Sequence, residues 1–179
     1  MDHERCVGCG YDGSDFDDQD LLDGLHLLGP AWTSLFSGSG PLLRVRPDPS
    51  TWSAVEYAAH SRDITALHAW AVEQALWNRE PVLPDLDADE LIGAAAAGYA
   101  DEDPSEVTRE LGVHAHRLAD VAGQGWPESW ERGITIGGSR SDVRRLLEHG
   151  LHDSRHHLGD VRRGLVTLEQ AAGPGNPAR

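Results

Sequence analysis

From Asp17 the chain turns helical. Leu21, Leu25, Leu28, Trp32 and Leu35 recur at steps of three and four, which places them on one face of an α-helix. Pro30 is expected to bend or interrupt that helix, and Ser37-Gly38-Ser39-Gly40-Pro41 ends it. Arg46-Pro47-Asp48-Pro49 reads as a rigid connector, after which a second helix starts between Ser50 and Ser53 and runs to about Asn78. A third repeat, Val107, Leu111, His114, Leu118 and Val121, follows the acidic and proline cluster at 101–104. The last helix begins near Ser139 to Ser141 and continues to about Ala172, where Gly173-Pro174-Gly175 stops it. Ala88 to Ala100 suggests a short weak helix, and only Leu42 to Arg46 and Gly133 to Ile136 hint at strand. Four amphipathic helices with one longer connection predict an all-α, four-helix-bundle domain over residues 17–173. An irregular Cys-x-x-Cys lead-in covers residues 1–16, and a frayed tail covers 174–179.

Charge narrows the function classes. The 179 residues carry thirty acidic and fifteen basic side chains, a net −15 with histidine neutral. Nucleic-acid binding by bulk charge needs the opposite sign, as does a polybasic membrane surface. Every basic residue is Arg, so Schiff-base and lysine-nucleophile mechanisms drop out. No run approaches a membrane span and the start lacks a signal-like apolar stretch, so a cytoplasmic protein is expected.

Ten histidines are the unusual feature. A pair four residues apart lies one turn above itself on a helix and can grip one metal ion. His152 and His156 make one such pair, but helical geometry sets them among Arg145, Glu148, Arg155, Arg162 and Arg163, opposite the apolar stripe. That stripe is Val143, Leu147, Leu151, Ser154, Leu158, Val161 and Leu165, so His152 and His156 read as solvated and stand as the runner-up metal pair. Asp153 and His157, also four apart, share the stripe's flank with Leu146 and Gly164 and face a neighbouring helix. His60 lies with Ile64, Leu67 and Ala71 on the second helix's inner face. A lone inward histidine is more often core than ligand. Here, however, an inward carboxylate without a lysine partner needs compensation, and an ion held by His60, Asp153 and His157 supplies it.

Three ligands leave a coordination position open, the arrangement of catalytic rather than structural zinc; two histidines with a carboxylate also suit non-haem iron. Glu56 and Asp63, one turn either side of His60, could orient its ring, although Ser53-Ala54-Val55-Glu56 is equally a capping box. His114 is core or pocket wall, and Asp160 is an outer carboxylate or a surface charge. Cys6 and Cys9 form half a structural metal site; His3, His149 or His68 could complete it. The alternatives are a redox pair or two idle thiols. Arg62 and Arg155 are read as solvated.

Trp52-Ser53-Ala54-Val55-Glu56-Tyr57-Ala58-Ala59-His60-Ser61-Arg62-Asp63 resembles the first metal-ligand helix of the DinB/YfiT-like superfamily. Trp130-Glu131-Arg132-Gly133 and the segment His152 to Val161 resemble its later motifs, and the N-terminal Cys-x-x-Cys-Gly resembles an actinobacterial DinB-like branch. The resemblance implies a four-helix bundle binding a divalent metal, with relatives that include thiol S-transferases and the mycothiol-dependent maleylpyruvate isomerase. It puts the first ligand on His60. The Leu158-Gly159-Asp160-Val161 tail puts the others on His157 and Asp153, with Asp153 standing where many members have His and the isomerase branch has Glu.

The expected activity is that of a transferase or isomerase. A divalent metal, zinc by preference, binds the sulfur of a low-molecular-weight thiol such as mycothiol and holds it as a thiolate, which attacks a small electrophile. Two other classes stand beside it: a metal-dependent hydrolase or isomerase that uses no thiol, and a non-catalytic metal-binding bundle. A homodimer is a further expectation from the resemblance.

Overall fold

The computed structural model describes residues 3–85, 93, 96–125 and 127–172. Its elements are β1 (Arg5–Cys6), β2 (Tyr11–Asp12), α1 (Asp18–His26), α2 (Leu28–Phe36), α3 (Ala54–Trp77), β3 (Val82–Leu83), α4 (Pro104–Gln124), β4 (Gly133–Ile136), β5 (Ser139–Asp142) and α5 (Val143–Ala172). Short 3-10 turns span Gly13–Asp15 and Gly40–Arg44.

Side chains written into the sequence start these helices. Asp17 caps α1 in a box with Asp20, and Ser53 caps α3 in the predicted box with Glu56. Asp103 accepts from the backbone of Ser105 and Glu106 just before Pro104, and Asp142 accepts from Arg145 N at 2.8 Å as α5 begins. Pro30 has no N–H for the His26 carbonyl and crowds it, so the first helix breaks at Leu27 into α1 and α2.

Around the bundle the order is α1/α2, α4, α3, α5, each touching the next, with α5 closing back on α1/α2. The side chains of the predicted α5 stripe are all buried. Trp32 of α2 fills the centre, and its Nε1 donates to Ser154 Oγ at 2.8 Å. Gly29 of α2 meets Gly112 of α4 backbone to backbone. These are the layers of a four-helix bundle.

Two small sheets flank it. β1 and β2 form an antiparallel hairpin, with Cys6 opposite Tyr11. β3 pairs parallel with β4, and β4 pairs antiparallel with β5, which leads directly into α5. The strand hint at Gly133–Ile136 is therefore realised as β4, whereas that at Leu42–Arg46 is not. Gly40 and Pro41 open a 3-10 turn there, with Pro at a position that needs no N–H. The last helix starts at Val143, later than expected, because Ser139–Asp142 is spent on β5. Most of the weak helix expected at Ala88–Ala100 and all of the tail at 174–179 lie outside the described residues; residues 96–99 are helical.

Candidate metal centre

His60 projects from the second turn of α3 toward α5, which presents Asp153 and His157 on successive turns. The capping box sets the register of α3, and the buried stripe fixes the rotation of α5, so both faces are decided by core burial. One ligand atom from each of the three residues lies within 4.8 Å of the other two. His60 Nε2 stands 3.6 Å from Asp153 Oδ1, and His157 Nε2 stands 3.5 Å from the same oxygen. Those separations are too long for good hydrogen bonds. They match the edge of about 3.3–3.5 Å between two ligands of a tetrahedral ion with bonds of about 2.0–2.2 Å. The other carboxylate oxygen, Asp153 Oδ2, is buried with no hydrogen-bond partner. A carboxylate with one oxygen at that spacing from two imidazole nitrogens and the other oxygen orphaned is a donor set that fits a divalent cation.

Outer contacts set the donor states. Asp160 Oδ2 lies 2.9 Å from His157 Nδ1. A carboxylate can only accept, so Nδ1 carries a proton, and a cation that displaces any proton on Nε2 would meet that nitrogen's lone pair on the side facing Asp153. Arg163 Nη2 donates to Asp160 Oδ1 at 2.5 Å. Burial would push the Asp153 carboxyl up, but the rings of His157 and His60 hold it well below the usual carboxylate range. Burial would lower His157, and Asp153 and Asp160 together hold it above its ordinary value. Trp52 and Tyr57 wall the group, with ring centroids 5.4 Å from His60 and 5.0 Å from His157.

The remaining sequence candidates are placed elsewhere. Both carboxylate oxygens of Glu56 are taken, one by Arg46 and the other by Ser53 N at 2.9 Å and Arg46 Nε at 3.0 Å. Asp63 is held by Tyr99 Oη at 2.8 Å and Arg62 Nε at 2.8 Å. Arg62 is not solvated: its guanidinium is largely buried and also binds Glu102 and Glu110, because the segment before α4 folds over it. His114 is half-buried on α4, its Nδ1 without a partner and its pKa lowered by burial; it joins no ligand group among the described residues.

The histidines expected to be solvated on α5 are covered instead. The N-terminal hairpin lies across that face, so His152 packs against Tyr11 with ring centroids 5.1 Å apart, and Glu148 is fully buried. His156 Nδ1 stands 3.6 Å from Cys6 Sγ. The suggested partners for the cysteines are engaged elsewhere: His3 pairs with Glu148, and His68 stacks on His149. A cleft of about 600 Å³ opens beside the hairpin, lined by Tyr11, Phe16, Leu28, Arg155, Leu158 and Arg162 among others; no residue of the His60 group lines it. Sequence reasoning passed over Trp52 and Tyr57 as walls of the site. Their spacing from His60, eight and three residues, is the signal that was available.

No family model and no curated protein matches the chain. Solved structures do. YfiT from Bacillus subtilis, described as a probable metal-dependent hydrolase with an unusual four-helix bundle topology, superposes with a TM-score of 0.72 at 13% identity, covering 88% of this chain and 90% of that one. A mycothiol-dependent maleylpyruvate isomerase superposes with a TM-score of 0.64 at 14% identity, covering 83% of this chain. This chain spans 62% of the isomerase's length. A mutant of that isomerase superposes with a TM-score of 0.63. Among the described residues no helix is long and apolar enough to cross a membrane. At 13–14% identity the likeness speaks to architecture, and the chain has the four-helix-bundle fold seen in the YfiT and isomerase structures.

Proposed function

We propose that this chain is a divalent-metal-dependent enzyme that transfers or isomerises by means of a low-molecular-weight thiol, with His60, Asp153 and His157 holding the metal. The observation that carries the proposal is the Asp153 carboxylate, whose Oδ1 stands at ligand spacing from the His60 and His157 nitrogens while its buried Oδ2 has no hydrogen-bond partner. A bound divalent ion would lower the pKa of a thiol that reaches it, so that thiolate is available at neutral pH.

The chain's own groups do the rest. Asp160 fixes the tautomer of His157, and Asp153 brings a negative charge that neutralises part of the ion's. Trp52 and Tyr57 exclude water from one side of the group. With no lysine in the chain, and with Cys6 and Cys9 on the hairpin side of α5, none of these residues acts as a covalent nucleophile. The solved structure of a mycothiol-dependent isomerase with this fold supports the thiol, and mycothiol is the cosubstrate we assign.

A hydrolytic reading without thiol has its own support, since the YfiT structure superposes over 90% of its length and is described as a hydrolase. One assay separates the two. Metal-loaded full-length protein is incubated with electrophiles of several classes (an aryl halide, an epoxide, a conjugated dienoate, an ester), with mycothiol and without. Thiol-dependent turnover that His60→Ala abolishes is the expected result. Turnover unaffected by omitting thiol would replace the thiol reading with the hydrolytic one.

A further inference from the structure

Cys6, Cys9, His152 and His156 play no part in the function proposed above, yet the structure gathers all four. One ligand atom from each lies within 4.8 Å of the other three. We propose that they form a second, closed metal site, a Cys2His2 zinc site that fastens the N-terminal hairpin to α5.

The hairpin delivers the cysteines. β1 ends at Cys6 and β2 begins at Tyr11, so residues 7–10 make the turn, closed by Gly10 N donating to the Cys6 carbonyl at 2.9 Å. Gly10 takes φ +75°, a conformation that glycine adopts without strain. The turn lies against α5, where a Cβ on Gly8 would stand 3.5 Å from His156 Cε1 and 3.7 Å from Cys6 Sγ. Cys9, at the exposed edge of the turn, gives up its proton when a cation binds it.

The helix delivers the histidines one turn apart. Both ring nitrogens of His152 are buried with no hydrogen-bond partner, and Glu4 Oε1 lies 3.0 Å from Nδ1 without the alignment of a hydrogen bond. His156 points Nδ1 at Cys6 Sγ, 3.6 Å away, and Asp160 Oδ2 stands 3.5 Å from its Nε2. Each imidazole thus has a carboxylate near one nitrogen and leaves the other for an ion, the placement from which a carboxylate orients a metal-bound histidine. With bonds of about 2.3 Å to sulfur and 2.0–2.1 Å to nitrogen, a tetrahedral zinc ion sets sulfur and nitrogen about 3.5 Å apart, close to the Cys6–His156 spacing. Four protein ligands leave no open position, so the site is structural. Asp160 also holds His157, so one carboxylate backs both metal groups.

The test is a cobalt(II) titration of metal-free full-length protein, followed by absorption spectroscopy and elemental analysis. Wild type is expected to take two ions per chain and to show a thiolate-to-cobalt charge-transfer band. Cys6→Ser/Cys9→Ser should lose one ion and the band, His152→Ala/His156→Ala should weaken both, and His60→Ala should lose one ion while keeping the band. A check that does not depend on any variant folding is alkylation of the wild-type thiols, which zinc should slow by at least about tenfold. No charge-transfer band in wild type, or alkylation indifferent to zinc, would overturn the proposal. Either result would leave the His60 group to be judged by its own ion.

Discussion

Replacing Glu148 by alanine should unfasten the N-terminal hairpin while leaving the bundle folded. Glu148 is 1% exposed, and its carboxylate collects donors from both sides of the junction. His3 Nδ1 lies 2.7 Å and Arg144 Nε 3.0 Å from Oε1, and Glu4 N donates to Oε2 at 2.8 Å. Gly13 is excluded from bearing a side chain because its Cβ would overlap this carboxylate. Hydrogen bonds to a charged group contribute about 1.5–3 kcal/mol each, and two of these three hold residues 3–4. Arg144 keeps other partners, Asp18 and the Phe16 carbonyl, so it is not orphaned by the change. A local loss of about 3 kcal/mol remains, which raises the open population of the hairpin about 100-fold. Native-state hydrogen exchange read by mass spectrometry on metal-free protein tests this. Amides of residues 5–13 should lose protection in Glu148→Ala, while those of α3 and α4 keep theirs. Unchanged exchange in the hairpin, or loss spread evenly over the bundle, would refute the assignment of Glu148 as its anchor.

Three other outcomes are expected. Gly29→Ala puts a Cβ 2.7 Å from the Gly112 Cα and should lower the stability read from urea titration by about 1–3 kcal/mol; Gly112→Ala, at 3.3 Å from Gly29, should cost less. Burial would raise Glu56, but its bonds to Arg46 and Ser53 hold its pKa down from 4.5 to about 2. Its contribution is therefore complete above about pH 4.5 and fades as pH falls toward 2. Glu56→Gln should accordingly destabilise by about 2 kcal/mol at pH 7 and by much less at pH 3 in urea titrations. Asp160→Asn should weaken metal binding about 10–100-fold in competition with a chromophoric chelator, with the circular dichroism spectrum unchanged.

Much of this fold was legible because core burial imposes a helical period. The stripe from Val143 to Leu165, the Ser53 cap and the flank position of Asp153 and His157 all follow from that period. What was not legible came from one assumption, that the side of α5 away from the stripe faces water. The lead-in of 1–16 covers part of it, turning Glu148 into a buried anchor and His152 into a covered ring. A helical projection contains no term for a distant segment docking onto the polar face. The cue lies in pairing two motifs far apart in the chain, Cys6-x-x-Cys9 and His152-x-x-x-His156, which together make one Cys2His2 ligand set. Arg62 departs from its expected place for the same reason, since its partner Glu102 lies forty residues on, just before α4.

Whether His60, Asp153 and His157 hold a divalent metal is tested most directly by metal content. Full-length protein is purified without chelator and compared among wild type, His60→Ala, His157→Ala and His114→Ala. His60→Ala and His157→Ala should each lose one ion per chain, and His114→Ala, outside the ligand group, should lose none. Wild-type metal content retained in both His60→Ala and His157→Ala would contradict the assignment.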